Sequence, residues 1–429
     1  MVQYGTGLGV PHVASLAPVL RLRQTLPVIA AFSLAALPGP ALASPESGLR
    51  KSLTRLYDSA GPHASVYVRR ASDHRKLFAR KQGTARILAS NTKLLTVGAA
   101  LDHYGADGRL VTRAVSGAKL DQDGMLQGNL YLVGGGDVTF GSSDFVRSEY
   151  GGGGAAVEEL AQGLYDHGLR RVRGHVVGDE SLYDSRRSGP AEGYAASAEV
   201  GGPLTALVYN HGLMSNGYFQ RDPPAYAADR LAGALKHLGV KIGKDAKHGR
   251  APSGADELAQ AKSLPMARIA ALTAQPSDNF FAELLGKGLG NWTTAGGARV
   301  VERYADERGA EVHLSDGSGL SRSNKASPQE LVRYLQHQMA ADTFVDFFRA
   351  LPTGGETGTL ADRMESGPAH HHCHAKTGTL YGVSALSGYC DARGGSRLIF
   401  SILMNGVSSD DYAHSIQDRM ARSMANYNG

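Results

Sequence analysis

The chain has 429 residues, 42% of them hydrophobic and 20% charged, with a formal net charge of +5 at pH 7. It is too long for a minimal single domain and suits one large globular domain carrying an insertion. The modest positive charge, without a basic cluster interleaved with aromatics, does not argue for nucleic acid, and no nucleic-acid partner is expected.

Arg21 and Arg23 precede the apolar run LPVIAAFSLAAL, and Ala41-Leu42-Ala43 has the small-x-small pattern of a signal-peptidase site. Residues 1–43 therefore read as a signal peptide, with Ser44 the first mature residue. The apolar run is too short to span a bilayer comfortably and ends at Pro38 and Pro40. The expectation is an exported protein of the extracellular or periplasmic/cell-wall space, with no integral membrane segment after processing.

PESGLRKSLTRLYDSA follows with helical spacing, then ASVYVRRASDHRKLFARKQG reads as a strand pair turning at Ser72-Asp73-His74. The stretch SNTKLLTVGAALDHYG predicts a helix that stops at Gly105. From about 110 the texture changes. LVTRAVSG, GMLQGNLYLVGGGD and RVRGHVVGD predict strands, VEELAQGLYDHGL and AADRLAGALKHLG predict helices, and APSGADELAQAKS reads as a return connection. The remainder opens on two helical halves broken at Pro276, and SPQELVRYLQHQMA carries a Ser327 N-cap with Glu330 three residues on. CHAKTGTL, SALSGYC and RLIFSILMNG predict strands, and DYAHSIQDRMARSMANY predicts the last helix. These elements divide the mature chain into a catalytic domain of residues 44–109 and 262–429, split by an inserted accessory α/β domain of residues 110–261.

Ser90 and Lys93 are three apart on the predicted helix, hence on one face. A serine hydroxyl needs an adjacent proton acceptor, and a lysine serves only when burial or a second cation destabilises its ammonium. Ser-x-x-Lys alone is a weak signal, since Ser116-Gly-Ala-Lys119 repeats it in a strand-turn setting. Two further segments strengthen it: Ser277-Asp278-Asn279 at the break between helices, and Lys376-Thr377-Gly378 on a predicted strand. The ordered set Ser-x-x-Lys, Ser-x-Asn, Lys-Thr-Gly is found in penicillin-binding proteins and class A β-lactamases.

With LYLVGGGD, DGSGLSR at 316–322 and AKTGTLYGVSALSGY beside these motifs, the chain from about 50 to 429 resembles the low-molecular-mass class C penicillin-binding proteins. These are the serine D-alanyl-D-alanine carboxypeptidase/endopeptidases. The resemblance implies an α/β (α+β) fold: a penicillin-binding/β-lactamase-like transpeptidase domain, an antiparallel sheet flanked by helices, split by the smaller insertion. It implies an acyl-enzyme on Ser90, with Lys93 as base lowered by the nearby cation Lys376. Ser277 would relay a proton to the leaving amine, and Asn279 would hold Lys93 and the substrate amide. Lys376 and Thr377 would bind the terminal carboxylate of a peptidoglycan stem peptide. Gly378 would allow close backbone approach, and the N–H groups of Ser90 and Thr379 would form the oxyanion hole. β-Lactams would form the same ester. Family members often carry two nested insertions, and the inner one is missing here, where LTALVYN runs almost directly into DPPAYAADRLAGAL. The rival functions are a β-lactamase, which deacylates quickly, and a non-catalytic cell-wall binding protein on the same fold.

No metal or cofactor is expected. HHHCH at 370–374 leads straight into a strand, and the glycine runs at 134–137 and 151–154 lack the Lys-Ser/Thr of a phosphate loop. Asp316 reads as a turn former rather than a cleft-rim residue. Glu356-Thr-Gly-Thr-Leu360 mimics the third motif, but with a glutamate that cannot bind a carboxylate. With a two-residue turn at Tyr381-Gly382, Cys373 and Cys390 face each other and can form a disulfide; the alternative is two reduced, half-buried cysteines.

Overall fold

A computed structural model describes residues 44–429. The signal-peptide reading of residues 1–43 lies outside the described residues. Among these, no helix is long and apolar enough to cross a membrane.

Helix α1 (Pro45–Ser59) starts at Ser44, whose side chain caps the Ser47 N–H, and presents Leu49, Leu53 and Leu56 on one buried face. Strands β1 (Ala64–Arg70) and β2 (Lys76–Arg80) pair antiparallel. Helix α2 (Thr92–Tyr104) is buried at every position from Thr92 to Leu101 and ends at Gly105. Over those residues the helix has no solvent face, so the Lys93 side chain is enclosed, and the charged and polar Asp102 and His103 near its end are exposed.

Strands β3 (Val111–Ser116), β4 (Leu130–Val133), β5 (Val176–Asp179), β6 (Lys247–His248) and β7 (Asp256–Lys262) form one sheet in the order β6-β5-β4-β3-β7. Helices α3 (Val157–Asp166) and α4 (Pro223–His237) pack on it through Leu160, Leu164, Leu231 and Leu235. The segment read as a return connection is itself strand β7. It pairs antiparallel with β3, with a register shift between Glu257 and Ala259. Its alternation is weak because only Ala261 of its seven residues is buried, which is why its pattern resembles a loop.

Helices α5 (Met266–Ala274), α6 (Asn279–Leu289) and α7 (Pro328–Gln338) follow, the last with the predicted Ser327/Glu330 capping box. Strands β8 (Cys373–Leu380), β9 (Val383–Asp391) and β10 (Arg397–Asn405) then join β1 and β2 in the antiparallel order β8-β9-β10-β1-β2. Helix α8 (Asp410–Ala425) closes the fold.

Both faces of this sheet are covered, so β9 and β10 are near-continuous apolar runs. The two-residue strand period sorts them. Leu386, Cys390, Phe400 and Ile402 pack with α1 and α8, whereas Ala385, Tyr389, Ile399 and Leu403 pack with the helical layer containing α2, α5, α6 and α7. The β8–β9 register is the one that a two-residue turn at Tyr381-Gly382 requires, and it places Cys373 opposite Cys390. The two are joined by a disulfide with Cα atoms 4.1 Å apart, the separation of a non-hydrogen-bonded antiparallel pair.

Candidate active site

Ser90 does not lie in the α-helix proper. It sits in a 3-10 turn, Ala89–Asn91, that leads into α2. Ala89 adopts φ +46°, a left-handed conformation that a non-glycine residue holds only when its surroundings fix it. Those surroundings are tight. Its carbonyl accepts from Thr92 Oγ1 at 2.9 Å, and a Cβ on Gly319 would meet that carbonyl oxygen at 1.9 Å. Asn91 Nδ2 donates to the Lys376 carbonyl at 2.9 Å, tying the turn to β8.

Lys93, in the first turn of α2, is fully buried. Its Nζ reaches three oxygens: Ser90 Oγ at 3.0 Å, Asn279 Oδ1 at 2.6 Å and the Ser318 carbonyl at 2.8 Å. Burial lowers the Lys93 pKa to about 8, opposed by the charges of Asp278, Asp316 and Glu283. Burial is thus the chief cause of the lowering, where the resemblance implied the Lys376 cation; repulsion between the two ammoniums acts on both. Burial first, and then Lys93, hold the Lys376 ammonium well below the ordinary lysine value.

Asn279 opens α6, whose N-cap is Asp278. Ser277 turns the chain between α5 and α6 with φ +65°, so Pro276 and this left-handed residue together make the break seen in the sequence. The Asn279 amide is engaged at both ends, because Nδ2 donates to the Glu199 carbonyl at 2.7 Å. Residue 199 belongs to the segment between β5 and α4, which thus fixes the amide orientation.

On β8, the alternation that sends Cys373 and Ala375 toward α8 sends Lys376 and Gly378 to the opposite face. Lys376 is buried, with Nζ donating to the Thr377 carbonyl at 3.2 Å. A Cβ on Gly378 would lie 2.9 Å from the Leu88 carbonyl oxygen and 3.1 Å from the Ser90 nitrogen. The strand passes against the Ser90 turn at a distance only glycine permits. Thr379 is exposed, and Thr377 Oγ1 lies 2.7 Å from Thr359 Oγ1. The structure therefore gathers Ser90, Lys93, Asn279, Lys376 and Gly378, with Ser277, Thr377 and Thr379 adjoining them in the chain.

Three participants were not singled out for the site. Thr359 comes from the stretch that mimics the third motif. The Ser318 carbonyl is a backbone atom that no residue pattern reveals, although DGSGLSR marked its neighbourhood. Glu283 is a buried carboxyl beneath that loop. Asp316 builds the loop turn, as read: it accepts from Gly319 N, Ser321 N and Asn324 Nδ2. In the His-rich stretch, Cys373 is in the disulfide, His371 meets Glu356, and His374 Nδ1 lies 3.1 Å from Thr353 Oγ1.

Comparison with known proteins gives a consistent picture. A D-alanyl-D-alanine carboxypeptidase of an Actinomadura species is 28% identical over 94% of this chain and 90% of its own length. The crystal structure of penicillin binding protein 4 (dacB) from Haemophilus influenzae aligns with a TM-score of 0.73 at 20% identity. That alignment covers 87% of this chain and 98% of the other. The Bd0816 predatory endopeptidase from Bdellovibrio bacteriovorus aligns with a TM-score of 0.55 at 17% identity, over 85% of this chain and 94% of its own. These structures establish the penicillin-binding fold. The profile of the D-Ala-D-Ala carboxypeptidase 3 (S13) family matches residues 50–215 and 199–427, and the chain belongs to that family.

Proposed function

We propose that the protein is a serine-type D-alanyl-D-alanine carboxypeptidase/endopeptidase that trims or cleaves peptidoglycan stem peptides through an acyl-enzyme on Ser90. The arrangement around Lys93 Nζ is the observation that carries this reading. A charged ammonium has three N–H groups and meets three oxygens here. The neutral amine has two, which match the two pure acceptors, Asn279 Oδ1 and the Ser318 carbonyl. Its lone pair is then left facing the Ser90 hydroxyl. A pKa of about 8 gives a usable fraction of that form near neutral pH.

In the proposed reaction, Lys93 takes the Ser90 proton as Oγ attacks the carbonyl of the penultimate D-alanine. The oxyanion is received by the N–H groups of Ser90 and Thr379. Ser277 passes a proton to the leaving amine, D-alanine departs, and water releases the shortened peptide. Lys376 and Thr377 bind the terminal carboxylate, with Gly378 allowing the strand to approach. A β-lactam enters the same ester and leaves slowly. Residues 110–261 form an inserted accessory domain between catalytic segments 44–109 and 262–429, and the protein works outside the cytoplasm, where stem peptides are.

Mass spectrometry after penicillin addition tests the reading. A persistent adduct on the Ser90 peptide, absent in folded Ser90→Ala, is expected. A fleeting adduct would instead indicate a β-lactamase, and no adduct a binding protein. Digestion of purified muropeptides then identifies the bond cleaved.

A further inference from the structure

The Ser318 peptide is held from both ends. Its carbonyl accepts from Lys93, and its N–H donates to Glu283 Oε1 at 2.9 Å. Glu283 stands one turn after Asn279 on α6, so both project from the same helical face. Its side chain is buried, and Oε2 has no hydrogen-bond partner among the described residues. Asp316 is also buried, yet it accepts three hydrogen bonds, from Gly319 N, Ser321 N and Asn324 Nδ2.

Two neighbouring carboxyls in a dry site do not both ionise readily. The better-bonded one, Asp316, ionises first, and Glu283 gives up its proton only at higher pH. Burial, and then the Asp316 charge, push the Glu283 carboxyl up to about 7. Other charges near Glu283 are already engaged. Lys287, one turn further along α6, is paired with Asp184, and Arg187 with Glu180. Asp278 caps the start of the helix.

We propose that Glu283 is a positioning residue for acylation: it fixes the Ser318 carbonyl against Lys93, and its carboxylate charge helps set the pH at which Lys93 sheds its proton. This rests on Lys93 being the base. An ionised Glu283 behind the Ser318 peptide stabilises the Lys93 ammonium and so delays its deprotonation as pH rises. Removing that negative charge therefore lets Lys93 lose its proton at lower pH.

The test is the second-order rate of Ser90 acylation by a fluorescent penicillin, followed against pH in wild type, Glu283→Gln and Glu283→Asp. The readout is the midpoint of the acid limb, not the plateau height. Glu283→Gln should move that midpoint down by about one pH unit, the shift expected on removing one nearby charge. Glu283→Asp keeps the charge but is too short for the Ser318 N–H; it should lower the plateau without lowering the midpoint. A purely packing role would alter melting temperature and plateau while leaving the Glu283→Gln midpoint at the wild-type value, and that result overturns the proposal. If Glu283→Gln does not fold, a wild-type plateau in Glu283→Asp overturns it. Failure of wild type to form any Ser90 adduct would strike the functional assignment instead.

Discussion

Gly378→Ala tests the contact between β8 and the Ser90 turn with one added methyl group. The Cβ would sit 2.9 Å from the Leu88 carbonyl oxygen, 3.1 Å from the Ser90 nitrogen and 3.2 Å from Ala385 Cβ. A carbon and a carbonyl oxygen settle at about 3.3–3.6 Å, so strand and turn must part by about half an ångström. Neither side yields easily, because two of the three atoms are backbone and Asn91 Nδ2 bonds the turn to the Lys376 carbonyl. The overpacking should cost about 1–3 kcal/mol of stability. Separation of the Ser90 and Thr379 N–H groups should slow acylation by roughly 10- to 100-fold, since displacements near 1 Å cost about 100-fold. Rapid-mixing measurement of fluorescent-penicillin acylation, with thermal melting on the same sample, separates the two effects. An acylation rate within twofold of wild type would refute the oxyanion geometry, whatever the melting curve does. An unchanged melting temperature as well would refute the packing argument.

Lys93→Ala should slow acylation by every substrate, whereas Lys376→Ala should weaken carboxylate-bearing substrates more than neutral ester analogues; equal losses on both would leave Lys376 only an electrostatic role. Asp137 offers a prediction about stability. Burial raises its carboxyl to about 7, partly offset by bonds from the Thr139 hydroxyl and N–H. The native chain thus binds the extra proton between about pH 4 and 7, and stability falls as pH rises through that window, by about 4 kcal/mol in all. Asp137→Asn should flatten that fall, so its melting temperature relative to wild type should rise from pH 4 to pH 8; a difference independent of pH would refute the assignment.

The three motifs were legible because each residue type is demanded by chemistry and spaced by a regular element. Ser90 and Lys93 are three apart where a 3-10 turn runs into α2, and Lys376 and Gly378 share one strand face. The Cys373–Cys390 register was legible for the same reason, since a two-residue turn fixes the pairing along both strands. Helix α7 declared itself through the Ser327/Glu330 box, a purely local hydrogen-bond exchange. Strand β7 did not, because an edge strand with one buried residue carries little alternation.

What the tertiary structure alone decided is the environment of those motifs. Sequence proposed that a cation lowers Lys93; the larger cause is the burial of residues 92–101 of α2, a property of what packs around the helix. The Ser318 carbonyl and the Glu199 carbonyl act as backbone acceptors, and every residue type carries the same carbonyl. Glu283 reads in sequence as one more polar position in FFAELL. Only the packing of α6 beneath the 316–322 loop turns it into a buried carboxyl beside a second one, where desolvation and proximity make its charge matter.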